Sequence, residues 1–194
     1  MAKKTSKTEK LGSKEKDFKA LSEAHGRLNK RLRLIQGMAD LFLDVTSVER
    51  NVEAAMDFVM GAVDAEAGSI LLVDDEKKQL YFASARGPKA KEIKNIRLHL
   101  GIGLAGACVK GKETIAVSDV RKDPRFSREI DRTLGFETRS VLAAPVVFRS
   151  TALGAVEVVN KRANDVFTAE EIELVKQIAR LLGALLAIGD RLRE

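Results

Sequence analysis

Few residues in this sequence have the types and neighbours that chemistry requires. There is one cysteine, Cys108, and there are two histidines, His25 and His99. A nucleophilic thiol needs a cation or a base beside it to become a thiolate. Cys108 lies between Ala107 and Val109, and neither histidine is tied to it by spacing, so it reads as a buried structural thiol. His99 has no Cys, Asp or Glu at ligand spacing, and no metal or haem site is expected there. Asp119, Arg121, Asp123, Arg125 and Arg128 compensate one another in charge. That suits a loop network or a polar pocket rim better than a catalytic cluster. No catalytic residue and no metal site is expected.

The run Gly101-Ile102-Gly103-Leu104-Ala105-Gly106 invites a phosphate-loop reading. It lacks the Gly-Lys-Ser/Thr end of a P-loop, and no strand followed by a distant acidic residue frames a dinucleotide fold. The glycines read instead as a tight turn into a helix and as room for close backbone packing. A helix N-terminus facing a pocket would still suit an anionic ligand group.

Patterning shows which elements hold these residues. At 194 residues, 45% apolar and 32% charged, the chain suits one globular domain with an extension. Its net charge of +6 is unevenly placed: residues 1–36 hold 11 Lys/Arg against 4 Asp/Glu, and the other 158 hold 23 against 24. The basic character belongs to the extension, and a near-neutral body offers no nucleic-acid groove. Apolar runs such as 181–188 are too short for a bilayer, so no membrane span is expected. Lysines at the N-terminus have no apolar stretch behind them, which excludes a secretory signal, and one cysteine forms no internal disulfide. The expected compartment is the cytoplasm.

Residues 1–13 read as a disordered basic tail. An amphipathic helix is expected over 14–44, where Phe18, Leu21, His25, Leu28, Leu32 and Ile35 alternate spacings of three and four. This a/d seam fits pairing with a second copy; the alternative is a helix lying on its own domain. On such a seam His25 is a pH-sensitive packing point, because protonated copies facing each other repel.

The domain proper is expected over 45–194. Ser47 caps a helix over 48–63. Strands over 68–73 and 79–85 form a hairpin that Gly87-Pro88 ends. The mixed segment 89–100 holds a short helix, and the glycine cluster opens another that reaches Val109. Residues 114–117 form a short central strand, and 128–134 a helical turn or two. Two dense apolar runs, 140–148 and 152–160, are neighbouring antiparallel strands. Thr168 and Glu171 make a capping box, from which a helix carries a second seam of Leu174, Ile178, Leu181, Leu185, Ile188 and Leu192. Of these, Ile178, Leu181, Leu185 and Ile188 are expected to join the first seam in a homodimer. The fold class is α+β around one antiparallel sheet.

Four motifs in this order resemble the GAF domain family over roughly residues 45–190. The glycine cluster looks like the start of the family's pocket helix. Asp119-Val-Arg-Lys-Asp-Pro-Arg-Phe126 is similar to the loop after its central strand, and Arg139-Ser-Val-Leu-Ala-Ala-Pro145 to its next strand. Gly154-Ala-Val-Glu-Val-Val-Asn160-Lys161 with Phe167-Thr-Ala-Glu-Glu171 resembles its closing strand and helix start. The resemblance implies a six-stranded antiparallel sheet with helices packed on one face and a pocket on the other, preceded here by a long N-terminal helix. Its members bind cyclic nucleotides, tetrapyrroles, haem, amino acids or small metabolites, and many act only as dimerisation modules, so fold does not name a ligand.

In cyclic-nucleotide-binding members a closing signature runs Asn-Lys, a spacer, Phe, three residues, then Asp-Glu. Asn160, Lys161 and Phe167 match, Glu171 stands at the Asp position, and Ile172 replaces the final Glu. That departure weighs against a nucleotide lock, and a Lys161–Glu171 pair at an exposed helix start would contribute only about 0–1 kcal/mol. Bilin-bearing members favour a histidine after the cysteine, where Val109 stands here, and the family's free-methionine-sulfoxide reductases use several cysteines.

The resemblance places Leu104, Cys108, Val117, Phe126, Phe136 and Val158 on the pocket walls, with Ser69, Asp119, Thr138 and Arg139 as polar contacts. The sequence leads to a sensory or regulatory module without enzymatic activity, binding a small molecule and signalling through dimer helices or a partner protein. Two alternatives stand: a purely structural homodimerisation module with an occluded pocket, and a cyclic-nucleotide regulator with a degenerate signature. No cofactor is assigned.

Overall fold

The computed structural model describes residues 15–22, 25, 26, 29, 36, 37, 47–162, 164 and 166–191. The chain divides into two units, Met1–Ala39 and Asp40–Glu194. The described residues of the first are helical, and Phe18 and Leu21 stand 74% and 69% exposed on that helix. The basic tail and the seam positions Leu28, Leu32 and Ile35 lie outside the described residues, as does Leu192.

The second unit runs α1 (Val48–Ala62), β1 (Ala65–Asp74), β2 (Gln79–Arg86), α2 (Ala90–Ile93), β3 (Arg97–His99), α3 (Gly103–Gly111), β4 (Ile115–Val117), a 3-10 turn (Val120–Lys122), α4 (Glu129–Leu134), β5 (Val141–Phe148), β6 (Thr151–Lys161) and α5 (Ala169–Arg191). The helix starts marked by the sequence are satisfied as expected. Ser47 accepts a 3.4 Å bond from the Arg50 N–H at the head of α1. At α5 the Glu171 N–H donates to Thr168 Oγ1 at 3.2 Å, and the Thr168 N–H donates to Glu171 at 3.0 Å. This reciprocal pair removes two unpaired donors from the first turn.

Six strands make one sheet in the order β3-β2-β1-β6-β5-β4, and every neighbouring pair is antiparallel. β4, expected as a central strand, is an edge strand that pairs with β5. Both edges are three residues long, which leaves little unpaired ladder to recruit another chain. The edge strand β3 is too short to show a period of two, so its residues read only as a mixed segment in the sequence.

Strand periodicity then sends alternate residues to opposite faces. On one face Ile70, Leu142, Ala144, Val156 and Val158 pack under α1 and α5 in one core with Met56, Val59, Val175 and Leu182. Gly183 lets α5 lie directly on β5, since a Cβ there would come within 2.5 Å of the Val147 carbonyl oxygen. This packing corrects part of the expected dimer seam. Ile178 and Leu185, 1% and 2% exposed, belong to the chain's own core. The sheet-facing stripe is wider than a two-helix seam, and it claims both residues. Leu181 stays half-buried and Ile188 is 41% exposed, so these two remain on the outer side. Among the described residues no helix is long and apolar enough to cross a membrane.

Candidate functional site

The opposite face is built differently. Leu71, Leu80, Phe82, Val141, Ala143 and Ala155 form a second core with Leu104, Cys108 and Val109 of α3. The glycines before α3 serve the turn: Gly101 and Gly103 hold φ of +85° and +70°, a region that side chains disfavour. Gly106 allows close approach, because a Cβ there would stand 3.1 Å from the His99 carbonyl oxygen.

Packing on this face is incomplete. Between the sheet, the first turn of α3 and the segment around α4 lies a cavity of about 320 Å³. Ser69, Leu104, Phe126, Phe136 and Thr138, all expected at the pocket, do line it. Thr138 is fixed by Asp131 of α4, whose carboxylate accepts from the Thr138 N–H at 2.9 Å and from its hydroxyl at 2.7 Å. Gly135 closes α4 in the left-handed conformation, φ +59°, and so turns the chain back toward the sheet.

Five other expected contacts lie elsewhere. Val158 points to the helix side, because it is one residue out of phase with the cavity face. Cys108 and Val117 pack in the second core behind the cavity wall rather than lining it. Asp119 caps the 3-10 turn, pairing with Arg121 at 2.8 Å and Lys122 at 3.3 Å. The Arg121 hydrogen bond leads the effects that bring its carboxyl down to about 2. Arg139 reaches outward to Glu66 at 3.4 Å.

The residue that sequence reasoning missed is Glu157. It sits in β6 directly opposite Ser69 of β1 and Ala143 of β5, and it lines the cavity with Val159. Burial pushes its carboxyl up to about 7; the Ser69 hydrogen bond opposes the shift, and the negative charge of Asp131 adds to it. The available signal was a lone acid inside an apolar strand flanked by two others, a place where a charge is rarely left without purpose. Cys108 shows the converse. It is fully buried, and its thiol is pushed up to about 12 by burial, with Glu157 adding to the effect. Such a thiol stays protonated at neutral pH.

The closing signature forms a separate cluster at one end of the sheet. Asn160, fully buried at φ +60°, accepts from the Arg139 N–H at 2.7 Å and donates to the Glu137 carbonyl at 2.8 Å and to Glu66 at 3.0 Å. Lys161 and Glu171 pair at 2.8 Å with side chains only 10% and 14% exposed. The pair is therefore not the exposed one expected from a helix start; nearby Phe167, 7% exposed, belongs to the helix-side core. Burial alone would raise the Glu171 carboxyl, but bonds from Lys161 and Thr168 hold it below its usual value. None of Asn160, Lys161, Phe167 and Glu171 lines the cavity. Among the described residues no group of three or more His, Cys, Asp or Glu is placed to hold a metal ion.

Comparison with known proteins agrees with this architecture. The sequence profile described as GAF domain matches residues 47–186. A probable 3',5'-cyclic phosphodiesterase pde-5 of Caenorhabditis elegans is 26% identical over 188 residues, covering 89% of this chain and 26% of that protein. The chain thus spans about a quarter of that relative's length. Among solved structures, the GAF domain of an Acinetobacter phosphoenolpyruvate-protein phosphotransferase superposes with a TM-score of 0.73 at 20% identity, covering 85% of this chain and 95% of that one. A free methionine-R-sulfoxide reductase of Neisseria meningitidis, solved with its substrate, gives 0.71 at 18% identity, covering 84% and 91%.

Proposed function

The chain belongs to the GAF domain family, and on that premise we propose that it is a sensory or regulatory module holding a small molecule in the cavity before its sheet. The observation that carries this reading is the cavity: about 320 Å³, with aromatic and aliphatic walls and polar and charged groups set among them. Small-molecule sites have this composition. In a purely structural module Phe82, Phe126 and Phe136 would close on one another, whereas here they stand around a space. No catalytic step is assigned to Cys108, whose burial keeps it a thiol. Native mass spectrometry of freshly purified protein tests the reading. A retained small molecule supports it, and a cavity that takes up nothing from a metabolite extract removes it.

Output through paired helices is part of the same proposal. Phe18, Leu21 and Ile188 leave apolar surface open, as a seam between two copies requires. Leu21→Glu combined with Ile188→Glu is expected to give a folded monomer by light scattering. A double variant that remains dimeric would remove the seam.

Cyclic-nucleotide binding is the second reading, favoured by the phosphodiesterase relative and by the assembled Lys161–Glu171 pair. Against it stand Ile172 in place of the signature's final acid and the position of Asn160, Lys161, Phe167 and Glu171 outside the cavity lining. Cyclic AMP and cyclic GMP are therefore expected to bind more weakly than about 100 μM in isothermal titration. A low-micromolar constant for either would reverse the order of the two readings.

A further inference from the structure

Glu157 is the one charged side chain among the residues that β1, β5 and β6 give to the cavity, namely Ala67, Gly68, Ser69, Val141, Glu157 and Val159. Its neighbours do not neutralise it. Ser69 supplies a hydroxyl, Asp131 supplies a second negative charge, and Cys108 behind it stays protonated. No ion pair among the described residues engages Glu157. The cations that line the cavity come from β2, β3 and the loop before α2 rather than from the strand that carries Glu157, and the two guanidiniums are already engaged. Arg86 is held at 2.6 Å by both Asp57 and Glu53. Arg97 is exposed, lies over the Tyr81 ring and donates to the carbonyls of Lys94 and Ile96 at 3.1 Å. The other ionisable residues of the lining are Lys89, half-buried in the loop before α2, exposed His99 of β3 and exposed Glu129 of α4. Asp131 gives its oxygens to the neutral donors of Thr138 and enters no ion pair among the described residues.

A carboxylate sunk among Phe82, Phe126, Phe136, Leu104 and Val159 without a cation is costly to ionise, and a ligand that brings one removes that cost. Resting on the cavity reading above, we propose that the cavity takes an organic amine: an apolar, ring-sized body against the phenylalanines, with a protonated nitrogen that donates to Glu157 and is drawn further by Asp131. The raised carboxyl gives the proposal a second signature. Below about pH 7 the empty site is largely protonated at Glu157. An ammonium group binds the ionised form, so the proton leaves to solvent as the amine enters.

The test uses the full chain and three probes of one shape: 2-phenylethylamine, 2-phenylethanol and 3-phenylpropionate, titrated by calorimetry at pH 8. The amine is expected to bind at least about tenfold more tightly than the alcohol, and the propionate more weakly than either. Glu157→Gln should erase the preference for the amine while leaving the alcohol's constant within about twofold. At pH 6.5, titrations in phosphate and in ACES, a zwitterionic buffer of larger ionisation heat, should differ in heat by the amount that proton release predicts. If Glu157→Gln fails to fold, the amine-to-alcohol ratio and the proton release in the unaltered protein decide the matter. Equal or tighter binding of the alcohol or the propionate overturns the amine while leaving the cavity reading standing. Silence from all three probes overturns the amine as well, and the native mass spectrum then judges the cavity by itself.

Discussion

The two faces of the sheet are made by the same strands to opposite ends. Along β6, Val156 and Val158 enter the core beneath α1 and α5, while Glu157 and Val159 look into the cavity. The helix side is apolar and filled, down to a glycine where α5 touches β5. The other side keeps a carboxylate, a hydroxyl and an open volume in the same layer of strands. Filled packing contributes stability, and unfilled, polar-lined space costs some of it. The contrast teaches that both faces carry a core, but only one of them is filled throughout, and the other keeps a polar-lined cavity beside its core.

The contrast can be broken most severely from the helix side. Leu185→Asp places a charge where the side chain is 2% exposed and no cation faces it in the core. A loss of more than about 4 kcal/mol is expected, enough to abolish the cooperative melt followed by circular dichroism. A soluble, cooperatively folding variant would show that α5 does not bury that face.

The next effect belongs to the closing pair. Lys161→Ala strands Glu171 in a nearly closed site, and a cost of about 3 kcal/mol in urea denaturation is expected. Glu171→Gln in the same background should recover part of it. The Glu171 carboxyl is held below its usual value, so its contribution is present above pH 4.5 and fades as pH falls through the lowered value. A cost within the 0–1 kcal/mol of an exposed pair would return the ion pair to the surface.

The cavity side predicts a pH dependence of opposite sign. Glu157 titrates at about 7 in the folded chain against 4.5 when unfolded, so folding favours its protonated form. The penalty sets in as pH rises above 4.5, grows up to about pH 7 and is complete above it. Glu157→Gln should therefore match the unaltered protein near pH 4 and exceed its stability at pH 8 by about 3 kcal/mol. A difference that does not change with pH would mean that the carboxyl is already ionised and paired.

The smallest effect is expected behind the cavity wall. Cys108→Ala exchanges one small apolar group for another, with a loss of about 1 kcal/mol in urea and no change in the affinity of any cavity ligand. A large change in affinity would place the thiol in the site after all.

The elements were legible because they depend on neighbours in the chain. Ser47, the Thr168–Glu171 box and the glycines before α3 mark their helices through bonds or torsions within a few residues. The six-strand count was carried by resemblance, since β3 is too short to declare itself. Part of the site was legible for the same local reason: Ser69, Leu104, Phe126, Phe136 and Thr138 fall in segments whose motifs point at a pocket. Direction was not legible. Whether Val158 or Glu157 faces the cavity turns on one step of register, and an apolar run buried on both faces carries no alternation to read. The same holds for Ile178 and Leu185, whose heptad spacing suits a partner helix and the chain's own sheet equally. Local chemistry along the chain thus determined the elements and their caps. Only the tertiary structure decided which side of each element became core, surface or site, because that choice belongs to distant strands and helices competing for the same face.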